Sequence, residues 1–225
     1  RVERIRSLLS KYDITPNCVV DVGAGAGLFL EELGSAIPNS RLRAVEPGNV
    51  LADDLKRSGY EVFKGSAVDA ADDPVWRASA EVVTCFEVIE HIAQVDTLIN
   101  ALRELCQPGG VIIVTGLCGT GFDIRLLGRH SNPVSPPHHI TFLSREGVEK
   151  ILDRCGLEML VFLTPGELDV DIVRNVALED ETLIGDDFLR SLILEGSEKT
   201  RTNFQEFLKA NALSSHMWIV AQQPI

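Results

Sequence analysis

Three groups of residues in this chain have types and spacings that can do chemistry. The first is Asp21-Val22-Gly23-Ala24-Gly25-Ala26-Gly27-Leu28, where glycines alternate just after the apolar run Cys18-Val19-Val20. Glycines so placed let a backbone turn sharply and let a ligand approach its amides. The second is Phe86-Glu87-Val88-Ile89-Glu90-His91. Its carboxylates and imidazole fall at i, i+3 and i+4, and on a helix they share one face. The third is the pair His138-His139. A histidine with an ordinary pKa of about 6.5, whether His91, His138 or His139, can take a proton from an attacking hydroxyl, with Glu90 beside it. Alternatively, Glu87, Glu90, His91 and His139 can hold a divalent cation such as Mg²⁺, which binds acceptor oxygens and lowers their pKa. In a third reading Glu90 and His91 cap a helix and the histidine pair orders a loop. All three stay open at the level of sequence.

These groups need a scaffold, and the apolar pattern supplies one. Runs rich in β-branched residues occur at 18–23, 41–47, 60–65, 80–88 and 111–116, alternating with helical patterns at about 27–37, 49–58 and 93–106. Continuous apolar runs suit strands buried on both faces, and the alternation implies βαβ units around a parallel sheet. The third helix is expected to stop at Pro108-Gly109-Gly110. Residues 117–140 break the rhythm and read as a lid or pocket wall. A helix at about 144–155 opens on Ser144, and two more strands begin at Leu157 and His216. Residues 167–213 read as an acidic helical insertion, with Phe188, Phe204 and Phe207 as its core and Asp169 and Asp171 as caps. The expected fold is a Rossmann-like, doubly wound α/β fold with a mostly parallel seven-stranded sheet and helices on both faces. It forms a single domain over 1–225, with 17–165 as core and 214–225 as the last strand.

A dinucleotide fingerprint needs its third glycine where this chain has Leu28; the spacing here is GxGxG, with the third glycine at Gly27. About 20 residues on, Glu46 ends an apolar run, where a carboxylate accepts both ribose hydroxyls of a nucleoside cofactor. With Asp21 two residues before Gly23, the turn resembles the first motif of class I S-adenosylmethionine-dependent methyltransferases. The EVIEH stretch, Leu105-Cys106-Gln107-Pro108-Gly109-Gly110 and Pro136-Pro137-His138-His139-Ile140-Thr141-Phe142-Leu143-Ser144 strengthen the likeness. They resemble a group that includes ubiquinone-pathway O-methyltransferases and bacterial small-molecule or glycan methyltransferases. The resemblance implies S-adenosyl-L-methionine as cofactor. Its methionine part would be carried by Asp21, Gly23, Ala24, Gly25 and Gly27, its ribose by Glu46 beside Pro47, and its adenine by Ser66 and Ala67. Phe86 and Glu87 complete the set. An E-x-x-E-H pattern with a distant histidine also resembles the metal site of small-RNA 2′-O-methyltransferases.

Composition narrows the classes. The 225 residues are 45% hydrophobic and 24% charged, ordinary for a folded, water-soluble domain. No apolar stretch approaches the roughly 20 residues that span a bilayer. Five cysteines without a zinc spacing point to reduced core residues and the cytoplasm. The chain opens on Arg1 with an amphipathic pattern unlike a secretory signal, so a native N-terminus upstream is expected. A formal charge of -12 opposes nucleic acid. The expected activity is methyl transfer to a small or medium-sized acceptor, an oxygen on a sugar, phenol or related metabolite. The rivals are a nicotinamide-dependent oxidoreductase, a non-catalytic cofactor-binding module and a metal-dependent RNA-end methyltransferase.

Overall fold

The apolar runs become strands because helices cover them from both sides. The computed structural model describes residues 1–225. In chain order it holds α1 (Val2–Lys11), β1 (Cys18–Val22), α2 (Leu28–Ala36), β2 (Arg41–Glu46), α3 (Asn49–Arg57), β3 (Glu61–Lys64), α4 (Ala67–Asp72), β4 (Ala80–Phe86) and α5 (Val95–Leu105). There follow β5 (Cys106–Leu117), α6 (Phe122–Leu127), α7 (Arg145–Arg154), β6 (Glu158–Leu163), α8 (Asp169–Glu179), α9 (Asp187–Leu194), α10 (Glu198–Ala210) and β7 (His216–Gln222). The seven strands form one sheet in the order β3-β2-β1-β4-β5-β7-β6. The first five in sequence pair in parallel, while β7 runs antiparallel to both β5 and β6. The chain steps outward from β1 to β3 and then returns to β4. The order therefore switches between β1 and β4, and the crevice above such a point is where ligands gather in open α/β sheets.

Side chains alternate across the strands, so the sheet feeds two cores. Ile112, Val114, Met217 and Ile219 join α4, α5 and α7 in one apolar cluster. Val111, Ile113, Trp218 and Val220 join α1 and α2 in the other. This alternation reaches the carboxyl end of β5, where Thr115 and Gly116 look to opposite faces.

Two expectations are corrected here. The stop signal Pro108-Gly109-Gly110 lies inside β5 rather than at the end of a helix, since α5 ends at Leu105. The register with β4 shifts between Ala80 and Val82 to absorb it. A Cβ on Gly110 would lie 2.7 Å from Cys106 Sγ and 2.8 Å from the Glu81 carbonyl, so only glycine fits. Residues 117–140 are also not all loop. They contain α6, whose Phe122 and Leu127 pack with Val170, Val173, Ile193 and Leu208 of α8, α9 and α10 in a third cluster.

The insertion is anchored by the buried Asp169. Its carboxylate accepts from the Ser214 hydroxyl (2.6 Å), the Gln205 amide (2.8 Å) and the Ser215 N–H (2.6 Å), tying α8 and α10 to the start of β7. Of the phenylalanines assigned to its core, Phe204 is partly buried, whereas Phe188 and Phe207 are exposed. They sit on the outer faces of α9 and α10, whose inner faces already fill the cluster. No helix is long and apolar enough to cross a membrane.

Candidate active site

The glycine turn joins β1 to α2. Gly23, Gly25 and Gly27 all have positive φ (75°, 57° and 80°), which side chains with a Cβ resist. Space restricts two of them further, because a Cβ would lie 2.5 Å from Val88 Cγ2 at Gly23 and 2.6 Å from Leu55 Cδ2 at Gly27. A Cβ on Gly25 would meet nothing within 4 Å, so that side of the turn is open.

Glu46, at the carboxyl end of β2, is 5% exposed. Its Oε2 accepts the Gly25 N–H at 2.9 Å and its Oε1 the Gly48 N–H at 2.7 Å. Each oxygen keeps a further lone pair, so the fixed carboxylate can accept a vicinal diol. Asp21, one strand over, is buried and accepts the Thr84 hydroxyl at 2.6 Å. Burial pushes its carboxyl up to about 7. Pro47 is exposed beside Glu46, and Ala24 is partly exposed in the turn. Ser66 caps α4, its hydroxyl accepting the Asp69 N–H at 3.2 Å, and Ala67 is buried behind it. Phe86 is buried, its ring set edge-on to Phe29 at 4.8 Å.

Beyond β4 the backbone departs from the helix expected through EVIEH. Glu87 has φ 54°, outside the helical region, and Ile89–His91 form only a 3-10 turn before α5. Glu87 therefore does not share a face with Glu90 and His91. Its Oε1 accepts from the Thr115 hydroxyl at 2.6 Å and from His216 Nε2 at 2.8 Å, with Arg1 at 3.6 Å. Burial pushes this carboxyl up, but the hydrogen bonds and charges of His216, Thr115 and Arg1 outweigh it. The group stands below the usual carboxylate range.

Glu90 lies against Gly116, where a Cβ would come within 2.8 Å of its Oε2. That oxygen is buried with no hydrogen-bond partner, an arrangement proteins rarely leave unexplained. Burial, with the charge of Glu87 adding to it, pushes the Glu90 carboxyl up. The Glu90 carbonyl accepts from Ile140 N–H (2.8 Å) and Thr141 N–H (3.1 Å), which brings the late histidines to the same place. His91 Nδ1 donates to the His138 carbonyl and His139 Nδ1 to the Pro133 carbonyl, each at 2.7 Å. A carbonyl only accepts, so each Nδ1 carries a proton and Nε2 is the nitrogen of each ring that can act as a ligand. The two rings lie 5.0 Å apart. One ligand atom from each of Glu90, His91 and His139 lies within 4.8 Å of the others. His138 is exposed and contributes its carbonyl to this arrangement, and Glu87 stands outside it.

This geometry, a glycine turn facing a strand-end carboxylate at a topological switch point, agrees with the relatives. The family described as methyltransferase domain matches residues 1–161. This chain belongs to that family. A ubiquinone biosynthesis O-methyltransferase of Marinobacter nauticus is 26% identical over 190 residues, covering 81% of this chain and 72% of that protein. A SAM-dependent methyltransferase from Archaeoglobus fulgidus superposes with a TM-score of 0.59 at 17% identity, covering 98% of this chain and 94% of that one. Geranyl diphosphate C-methyltransferase from Streptomyces coelicolor A3(2), solved with S-adenosyl-L-homocysteine, reaches 0.59 at 15% identity over 92% and 71% of the two chains. The protein is an S-adenosylmethionine-dependent methyltransferase of the class I superfamily.

In this methyltransferase, sequence reasoning missed His216. It opens β7, 129 residues from Glu87, and nothing around it in sequence marks it. The only available signal was its position at the start of the last apolar run. Antiparallel pairing places such a residue opposite Leu117, at the carboxyl end of β5.

Proposed function

We propose that this methyltransferase transfers its methyl group to an oxygen of a small or medium-sized acceptor, a phenol, sugar or related metabolite, and that a divalent cation bound by Glu90, His91 and His139 assists. The observation that carries the cation is the unpartnered, buried Glu90 Oε2 converging with two imidazoles whose Nδ1 protons are already committed to carbonyls. Second-sphere acceptors of this kind orient ligand histidines. Two imidazoles with one carboxylate form a recurring metal set. A base reading for His91 or His139 does not account for the carboxylate. The O-methyltransferase named among the relatives supports an oxygen nucleophile, and the acidic chain disfavours an RNA acceptor.

S-adenosyl-L-methionine supplies an electrophilic methyl group, and a bound cation would lower the pKa of the acceptor hydroxyl. The protein's own residues do the rest. Glu46 receives the ribose hydroxyls, the glycine turn borders the methionine part, and Ser66 and Ala67 border the adenine. Much of the rate comes from holding methyl and oxygen in line and excluding water.

The test is calorimetric titration with S-adenosyl-L-homocysteine, followed by methyl transfer to a panel of catechols and sugars with and without chelator. One-to-one binding, and transfer that chelator abolishes and Mg²⁺ or Mn²⁺ restores, are expected. Transfer indifferent to chelator would sink the cation, and no transfer to any panel member would sink the acceptor class.

A further inference from the structure

We propose that Asp123, buried in α6 and outside the cation cluster, is the positioning residue that aims the His139 imidazole at the cation. This rests on the cation site proposed above, whose ligands are Glu90, His91 and His139.

Residues 131–139 carry the histidine pair and are bonded among themselves. The Ser131 carbonyl accepts the Val134 N–H at 2.9 Å, and the Ser135 carbonyl accepts the N–H groups of His138 (2.9 Å) and His139 (3.1 Å). A segment closed in this way moves as one piece, so its orientation is set where it is tied to the rest of the chain. At the far end the ties are the Glu90 carbonyl, which holds Ile140 and Thr141, and His91, whose Nδ1 donates to the His138 carbonyl. At the near end the tie is Asp123, whose Oδ2 accepts the Ser131 hydroxyl at 2.8 Å.

The far ties fix the backbone beside His139, while the direction of its ring depends on the near limb. His139 Nδ1 donates to the Pro133 carbonyl at 2.7 Å, and Pro133 follows Ser131 by two residues. If Ser131 is released, the Pro133 carbonyl swings with it and the imidazole turns away from Glu90. Outer acceptors orient ligand histidines in the same manner.

Packing alone does not call for a carboxylate here. Asp123 and Ser131 are both buried, and Asp123 Oδ1 has no hydrogen-bond partner. An apolar side chain would be cheaper to bury in such surroundings. The start of α6 is itself held firmly. The Phe122 N–H donates to the Leu213 carbonyl at 2.8 Å, and a Cβ on Gly121 would lie 2.2 Å from Ser215 Cα. The Ser215 N–H is bound by Asp169 in turn. A line of buried contacts therefore runs from the insertion through α6 and Asp123 to the His139 ring.

The experiment measures Mn²⁺ binding by electron paramagnetic resonance in wild type, Ser131→Ala, Asp123→Ala and Asp123→Asn, and counts the imidazoles on the bound ion from their nitrogen couplings. S-adenosyl-L-homocysteine affinity and the urea midpoint are followed alongside. Wild type should show two imidazoles. Ser131→Ala and Asp123→Ala should bind Mn²⁺ at least about tenfold more weakly and show one imidazole, with S-adenosyl-L-homocysteine affinity unchanged. Asp123→Asn keeps the volume and an oxygen for the Ser131 hydroxyl, so it should restore both the affinity and the second imidazole. Two imidazoles at wild-type affinity in folded Ser131→Ala overturn the assignment, as does a folded Asp123→Asn that behaves like Asp123→Ala. Absence of Mn²⁺ binding by wild type overturns the cation site and this inference with it.

Discussion

Replacing Asp21 with Asn should stabilise this protein, and do so increasingly as pH rises. Asp21 is 3% exposed in β1, and burial raises its carboxyl from an ordinary 3.8 to about 7 in the fold. The folded state therefore binds this proton more tightly than the unfolded chain does. Between about pH 4 and pH 7 the native state holds the proton while the unfolded state releases it, so wild-type stability falls with rising pH. The slope is about 1.4 kcal/mol per pH unit, and across that window the loss accumulates to about 4 kcal/mol above pH 7. Asn keeps the volume and an oxygen to accept the Thr84 hydroxyl, but has no charge to bury. Urea unfolding of both proteins at pH 4, 5, 6, 7 and 8 reads the difference directly. It should be near zero at pH 4, grow through the range and level off above pH 7. A difference that is constant with pH would show that the carboxyl is not neutralised by its burial and would refute the reasoning. The position beside the glycine turn gives the charge a use, so the same variant should bind S-adenosyl-L-homocysteine more weakly at pH 8.

Three further outcomes follow from the geometry. Glu46→Ala removes the acceptor for a ribose diol and the tie between Gly25 and Gly48, and hydrogen bonds to a charged group contribute about 1.5–3 kcal/mol each. Calorimetry should show S-adenosyl-L-homocysteine affinity falling on the order of 100-fold. Gly27→Ala forces a Cβ to within 2.6 Å of Leu55 at φ 80°, and should cost about 1–3 kcal/mol in a thermal or urea melt. Val173→Ala opens a cavity in the cluster between α6 and the insertion, at a cost of about 2 kcal/mol. Hydrogen exchange should then quicken in α8, α9 and α10 while α5 stays protected.

The sheet was legible because burial on both faces imposes its own pattern. The runs at 18–23, 80–88 and 111–116 suit strands buried on both faces, and Ser144 announced α7, with its hydroxyl accepting the Gly147 N–H at 3.0 Å. Punctuation misled where tertiary packing overrode it. Pro108-Gly109-Gly110 reads as a helix stop, yet the strand runs through it because β4 shifts register to match. Phe188 and Phe207 have the spacing of a core but sit on helices already packed on their other sides. The local chemistry around EVIEH was visible in residue types and hidden in direction. Periodicity assumes a helix, and the positive φ of Glu87 breaks it before it begins.

That break explains how one short segment serves two places. Glu87 leaves β4 with its amide donating to the Thr115 carbonyl at 3.2 Å, and its carboxylate joins Thr115 and His216 on the α1 face. Three residues later, Glu90 crosses above β5 to lie against Gly116, on the opposite face. A helix from Glu87 onward would have stacked both carboxylates on one side, where their charges repel and neither histidine group could reach both. The left-handed residue separates them, and the strand pleat at Thr115 and Gly116 gives each its own wall. His216 and His139 are then supplied by distant segments, one through antiparallel pairing and the other through the Glu90 carbonyl. A sequence window holds neither relation, since each is set by which strands are neighbours. For this reason Glu87→Gly should be informative. Glycine adopts the left-handed backbone without strain, so the turn and the Glu90 cluster should survive with cation binding intact, while the partner of His216 is lost. Mn²⁺ titration of that variant should be as tight as wild type or tighter, because the Glu87 charge that pushes the Glu90 carboxyl up is gone; a weakened site would show that the Glu90 wall depends on the Glu87 carboxylate for its shape.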